Sequence, residues 1–306
     1  MINYIIRRLL LTIPTIIGII TITFLLMYVV PGDPVRILMG QRGDPETIAM
    51  IRKQMGLDDP LPVQYFRFLG NILRGDFGRS YATNRPVLPE ILSRFPATLK
   101  LALASMLVAS IIGLTAGIVS ATKQYSFFDY SSMVVALMGV SAPVFWVGLL
   151  LMWIFGYTLG WLPISGYGGV SYLILPAIAL GVRPAAYIAR MTRSSFLEVL
   201  RQDYIRTARA KGLPERRVIY VHAMRNTLIT VITVLGMELA SLLSGAVLTE
   251  TIFAWPGIGR LSVDAIIKRD HPMVQGTVLF TAIIFIFANL IVDISYAFLD
   301  PRIRYE

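Results

Sequence analysis

Cysteine is absent from the 306 residues, which excludes disulfide frameworks, thiol catalysis and thiolate metal sites while saying nothing about redox compartment. Histidine is nearly so: His222 and His271 are the only two, too few for a histidine-rich site. No HExxH occurs and no serine–histidine constellation is apparent, so an intramembrane enzyme has no nucleophile or metal set to work with. The GxxxxGK[ST] signature is also missing, and with it a phosphate-cradling loop for ATP. Charge is sparse. Only 15% of the chain is charged against 56% hydrophobic, a balance that one soluble core of this length cannot hide.

What is present is a series of long uncharged runs. A helix needs roughly 20 apolar residues to cross the hydrocarbon layer, and residues 9–30 and 101–122 meet that length directly. The first run follows Arg7 and Arg8 but is too long for a cleaved signal and lacks a small-residue cleavage site, so it reads as a retained helix. The stretch 130–182 is too long for one span. It is interrupted by Gly156, Gly160, Pro163, Gly166, Gly168 and Gly169, which divides it into spans near 130–157 and 172–191. Further spans fall near 226–249 and 273–299. The expectation is an all-α, polytopic membrane protein of six helices.

A net charge of +10 points to nucleic acid or anionic surfaces in a soluble protein, but here its position matters more. Six spans put both termini on one side, together with the Lys123 loop, the Arg-dense segment 193–225, Arg302 and Arg304. The loop 161–171 on the other side has no Lys or Arg. By the positive-inside rule the termini are expected in the cytoplasm; the basic 31–96 segment is long enough to be translocated regardless of charge.

Four regions follow: 1–30, a cytoplasmic N-terminus and first span; 31–96, an external helical cap; 97–300, a five-helix core containing the cytoplasmic loop 193–225; and a 301–306 tail. In the cap, Asp44-Pro45 can start a helix ending at Gly56, and Pro62 can open another that Gly75 closes. Val63, Phe66, Leu69, Ile72 and Leu73 share a face of the second, a stripe expected to pack on the membrane domain.

The most distinctive segment reads TRSSFLEVLRQDYIRTARAKGLPERRVIYVHAMRN over residues 192–226. Gly212 can take the left-handed conformation that closes one short helix, and Pro214 suits the first turn of the next. Phe196, Leu200 and Tyr204 alternate with a basic face of Arg201, Arg209 and Lys211. A DNA-binding helix-turn-helix is set aside, because both ends run directly into spans and no hydrophobic third helix follows. An ordinary loop that only fixes topology stays open on charge alone.

Arg206-Thr207-Ala208, with Gly212 four residues after Ala208, is similar to the EAA loop of binding-protein-dependent ABC importer permeases. Arg206 stands where many members have Glu, Thr207 where they have Ala, and Arg225 where they have Pro. Those variants resemble the peptide-permease branch. So do Pro31-Gly32-Asp33-Pro34, Gly75-Asp76-Phe77-Gly78, Gly160-Trp161-Leu162-Pro163, the run from Thr249-Glu250-Thr251-Ile252-Phe253 to Trp255-Pro256-Gly257-Ile258-Gly259, and Asp300-Pro301-Arg302-Ile303-Arg304-Tyr305. Over nearly the whole chain the sequence resembles the B-type subunit of dipeptide, oligopeptide and glutathione permeases.

The resemblance implies the type I ABC importer permease fold in the bacterial inner membrane and a coupling helix of Arg206, Thr207, Ala208, Lys211, Gly212 and Leu213. It also implies two ABC ATPase subunits that carry ATP and Mg, a companion C-type permease and a periplasmic or lipid-anchored substrate-binding protein. No cofactor, catalytic residue, metal ligand or nucleic acid is expected on this chain. The cargo is a dipeptide, oligopeptide or glutathione-like peptide, with a nickel chelate as the alternative. An ion-coupled carrier is the weaker reading, since too few intramembrane charges exist to draw a conduction line.

Ionisable groups inside spans are expensive. Arg183 and Glu238 sit roughly 15–18 Å inside the cytoplasmic boundary at 1.5 Å per residue, so they can meet at similar depth. A structural ion pair and a substrate path that attracts a peptide carboxylate both remain open. Asn289 and Asp293 share a face of the last span, Asn289 as a path candidate and Asp293 with a structural role. Pro143, Pro176 and Pro184 are candidate kinks.

Overall fold

The structure, a computed structural model, describes residues 2–29, 35, 44–54, 56–244 and 246–299. The Pro31–Pro34 motif and the closing Asp300–Tyr305 motif lie outside the described residues.

Helix α1 (Ile2–Val29) runs through Pro14 and is predominantly apolar beyond Arg7 and Arg8. Two short helices follow, α2 (Pro45–Gln54) and α3 (Leu61–Leu73), at the expected positions. Asp44 caps α2 by accepting the Thr47 backbone N–H at 2.8 Å, and Gly56 and Gly75 turn the chain with φ of +64° and +79°. Helix α4 (Val87–Thr122) has 36 residues, about 54 Å at 1.5 Å per residue, well beyond the roughly 30 Å hydrocarbon layer. Its first turns therefore rise out of the apolar run.

The expected third span is not one straight helix. It breaks into α5 (Phe127–Ser141) and α6 (Val144–Leu151), which continues as a π-helix over Met152–Thr158, with a bend of 107° between the halves. Pro143 sits at the corner, where its ring and missing N–H forbid helical continuation. Pro176 and Pro184, by contrast, are absorbed within α7 (Val170–Leu200), which runs nine residues past the expected end at 191.

The remaining elements are α8 (Asp203–Ala210), α9 (Glu215–Arg217) leading into a π-helix over Val218–Ala223, α10 (Met224–Leu243), α11 (Val247–Ile252), α12 (Ile258–Ile267) and α13 (His271–Leu299). Four helices are long and apolar enough to cross a membrane, and two bent pairs meet the same test when taken together, so the described residues supply four to six crossings.

Helices α4 and α7 form the centre. Gly113 and Gly117 on α4 let the backbones nearly touch: a Cβ on Gly113 would stand 2.7 Å from the Ala185 carbonyl oxygen, and one on Gly117 would stand 2.7 Å from that of Ala189. Gly181 does the same from α7, toward the Ser105 carbonyl at 2.8 Å. Water cannot drive helices together inside lipid, so close small-residue packing of this kind does.

Helices α1 and α13 run antiparallel. Arg8 pairs with Asp293 at 3.0 Å near one end, and Gln275 donates to the Thr23 carbonyl at 3.4 Å toward the other. The N-terminal turns of α4 pack Val87 and Ile91 against Met273 and Phe280 of α13. The start of α1 and the end of α13 thus lie at the same end of the bundle as the end of α4 and the Arg-rich loop.

The apolar stripe of α3 is a correction to the sequence reading. Val63, Phe66 and Leu73 are 47%, 67% and 74% exposed, and the helix packs through Tyr65 and Phe68 instead.

Candidate functional site

At the Arg-rich end of the bundle α8 lies as a short footing. Ile205 and Ala208 are buried in a cluster with Ile118, Ala121, Phe196, Val218 and Ala223. Arg206, Thr207, Lys211 and Gly212 are exposed, and Leu213 is half-buried. Ala208 therefore faces inward, where a small side chain lets the helix seat closely. Gly212 has φ of +75° and donates its N–H to the Arg209 carbonyl at 2.9 Å, closing α8 as its sequence position indicates.

Two polar contacts brace the footing. Arg209 spans the turn and grips Glu215 with donor distances of 2.7 and 3.1 Å, which raises the Arg209 pKa. Asn226 Nδ2 donates to the Tyr204 hydroxyl at 2.6 Å and joins α8 to α10. The Arg206–Asp203 pair, at 3.4 Å and almost wholly exposed, adds little. Arg193, just before the footing, donates to Asp129 at 2.7 and 2.9 Å, and the Ser120 hydroxyl and Tyr125 N–H donate to the same carboxylate. This clasp was not legible from spacing, since its members are brought together from α4, α5 and α7.

Arg183 and Glu238 line one cavity of about 240 Å³, together with Val144, Leu180, Pro184, Ser241, Leu242 and Ala246. They share it, and no Arg183–Glu238 salt bridge is formed among the described residues. Asn289 is elsewhere. It lines a groove of about 200 Å³ between α1 and α13 with Arg8, Thr12 and Asp293, and donates to its own helix at Phe285. The structural role expected of Asp293 fits its pairing with Arg8.

Two further clasps stand at the opposite end. Glu250 is fully buried and accepts from the Thr98 hydroxyl at 2.8 Å and the Arg260 N–H at 3.1 Å. Thr98 in turn accepts from the Ile258 N–H at 2.9 Å, so the first turn of α12 is capped by a carboxylate and a hydroxyl. Gly257 and Gly259 are required here, because a Cβ on the first would fall 2.3 Å from the Glu250 carboxyl carbon and one on the second 2.7 Å from Val247 Cα. Trp255 Nε1 donates to the Ala97 carbonyl at 2.8 Å, fixing the same loop to α4. The TETIFAWPGIG landmark is thereby a folding device whose glycines make room for a buried acid.

Asp270 forms the other clasp. It accepts from the Ser80 hydroxyl and, at 2.9 Å, from the Tyr81 N–H. Burial and then the Asp270 charge push the Tyr81 phenol up to about 12. Among the described residues no group of three or more His, Asp or Glu side chains is arranged to hold a metal ion.

The architecture is that of a helical membrane domain with a cationic footing at one end and a polar cavity inside. Residues 113–305 match the model for the binding-protein-dependent transport system inner membrane component, and residues 1–102 match that family's N-terminal model. The chain belongs to this family. It is 48% identical to a di/tripeptide transport system permease protein of Pseudomonas aeruginosa and 47% identical to a dipeptide transport system permease protein of Alkalihalophilus pseudofirmus, with all of each chain covered. A glutathione transport system permease protein of Salmonella paratyphi A is 45% identical, again over the whole of both chains. The fold matches a chain of the MetNI methionine ABC transporter in inward-facing crystal forms, with TM-scores of 0.57 and 0.59. Those matches cover 69% and 70% of this chain and 96% and 98% of the solved ones, at 17% and 16% identity.

Proposed function

We propose that this chain is one permease half of an ATP-driven importer of short peptides in the bacterial inner membrane. The observation that carries the reading is the footing α8, held by Ile205 and Ala208 while Arg206, Thr207 and Lys211 point outward, in a chain similar end to end to di/tripeptide and dipeptide permeases. Six crossings, cytoplasmic termini and a 31–96 segment on the outer side complete the topology, supported by the antiparallel pairing of α1 with α13 and the Arg-rich end they share with α8.

In this reading each of two ABC ATPase subunits, which hold ATP and Mg, receives a footing helix from one permease, this chain supplying one and a companion C-type permease the other. A periplasmic or lipid-anchored binding protein delivers cargo from outside. Nucleotide-driven closure of the ATPases displaces α8, and a docked helix transmits that motion because its partner has two arrangements to choose between. Arg183 and Glu238 line the path, Arg183 transiently attracting the peptide carboxylate. Asn289, in its separate groove, is the weakest of the three path candidates. Glutathione, itself a short peptide, is the second cargo to try, since a glutathione permease is 45% identical over its full length.

Copurification tests this directly. The expected result is a stable complex with an ATPase whose activity rises when peptide-loaded binding protein is added, and Lys211→Glu, a charge reversal on the exposed face of the footing, should cut that stimulation by about fivefold or more. A lone chain that transports at full rate would overturn the proposal.

A further inference from the structure

Helix α3 bears three distinct strips. Tyr65 and Phe68 face α1: the Tyr65 and Thr21 hydroxyls share a 2.8 Å hydrogen bond, and the Phe24 ring lies 5.4 Å from that of Tyr65 and 5.7 Å from that of Phe68. Gln64, Arg67 and Asn71 form a polar strip, in which Gln64 donates to the Leu57 and Asp59 carbonyls and Arg67 pairs with Asp59. Phe66 and Leu73, seven residues apart and so on one face, are 67% and 74% exposed, with Leu69 half-buried between them. At roughly 100° per residue the three strips lie about a third of a turn from one another.

That disposition has one natural setting. α1 crosses the membrane, so a helix fixed to its flank with the polar strip toward water turns its third strip into lipid. Thr21 and Phe24 lie in the apolar C-terminal half of α1, so α3 packs on a stretch of that helix that faces hydrocarbon. Interfacial helices bury their apolar faces among the acyl chains beside such spans. The exposed strip also continues the outer surface of α1, where Ile22 and Leu25 are 60% and 53% exposed.

We propose that α3 is a membrane-surface anchor, its Phe66–Leu69–Leu73 strip seated among phospholipid chains at the interface by the C-terminal end of α1. The occupant is lipid. The anchor holds α3 itself against the bilayer, so that α2, whose residues are all at least partly exposed, hangs from a point fixed in depth. The inference needs only that α1 spans the membrane; it does not depend on the cargo or on the direction of transport.

The absence of cysteine in this chain makes the test direct. Phe66→Cys, Leu73→Cys, Arg67→Cys and Asn71→Cys variants are each spin-labelled in the assembled complex in phospholipid nanodiscs, with signal from the unsubstituted complex subtracted. Collision rates are read with oxygen, which partitions into lipid, and with a water-soluble nickel chelate. The oxygen-to-chelate ratio should be at least fivefold higher at positions 66 and 73 than at 67 and 71. Equal ratios, meaning water on both strips, would overturn the proposal. So would labels at 66 and 73 shielded from both reagents, which would mean that a protein covers the strip. Either result leaves the importer reading standing, whereas a complex that moves no peptide while the ratios hold removes that reading and leaves the anchor.

Discussion

Arg193 holds Asp129 through two parallel hydrogen bonds of 2.7 and 2.9 Å, although 64 residues separate them in sequence. The carboxylate is 2% exposed and has further donors in Ser120 and Tyr125, so every bond it needs is made within the clasp. Planar guanidinium and carboxylate match in this geometry, which a lysine cannot reproduce.

Removing one partner strands the other. Asp129→Ala should destabilise the purified complex by about 3 kcal/mol, the lower end for a broken buried pair because Arg193 keeps some access to water. Arg193→Lys should recover only part of the wild-type stability. A double-mutant cycle read by thermal unfolding measures the coupling, and additive losses would mean the pair contributes nothing.

The centre of the bundle is sensitive to a single methyl group. Gly117→Ala places a Cβ about as close to the Ala189 carbonyl and Thr192 Cβ as packed atoms are never found, at 2.7 and 2.6 Å. Overpacking of this kind costs about 1–3 kcal/mol, so folded yield should fall and α4 and α7 should separate. Gly70→Ala is the control, since nothing lies within 4 Å of its Cβ position. Equal yields for the two would contradict the close approach.

Glu250 makes stability depend on pH in an unusual sense. Burial pushes its carboxyl above the ordinary 4.5, against the lowering effect of Thr98, Arg260 and Gly259. A raised folded value means the native state holds the proton more tightly, so this contribution is full below pH 4.5 and is lost as pH rises through the raised value. Glu250→Gln cannot titrate. The stability advantage of wild type over this variant should therefore shrink as pH rises above 4.5, as measured by melting temperature in each buffer; an advantage that grows with pH would show the opposite shift.

Arg183 separates path from scaffold. Losing one charge-assisted hydrogen bond of about 1.5–3 kcal/mol to a carboxylate corresponds to roughly 10- to 150-fold in peptide uptake at low substrate. Arg183→Gln should show that loss with assembly and basal ATPase activity unchanged, and C-terminally amidated peptide should be carried by wild type about as poorly. Uptake at the wild-type rate by Arg183→Gln rules out the path assignment.

Much of this was legible from residue order, and the reasons are local. Asp44, Gly56, Gly75, Gly212 and Pro214 act within a few residues of themselves, and each turns or caps the chain where its chemistry requires. The long apolar runs likewise needed no neighbours to be recognised. The Asp129–Arg193 and Glu250–Thr98 clasps were hidden because each is completed by residues from other helices. The GxxxG spacing of Gly113 and Gly117 was the one available signal for the α4–α7 contact. The face of α3 was misread for a different reason: an apolar stripe implies a protein partner only where water is the alternative, and under the anchor proposal the alternative beside α1 is lipid.

The seat of α8 draws Ile118 and Ala121 from α4, Phe196 from α7, and Val218 and Ala223 from the π-helix that leads into α10. A sideways load on Ile205 or Ala208 is therefore divided among three helices at their common end. Under the coupling proposed above, such a seat works as a thrust bearing, passing a local shove on α8 to three helices together rather than to one.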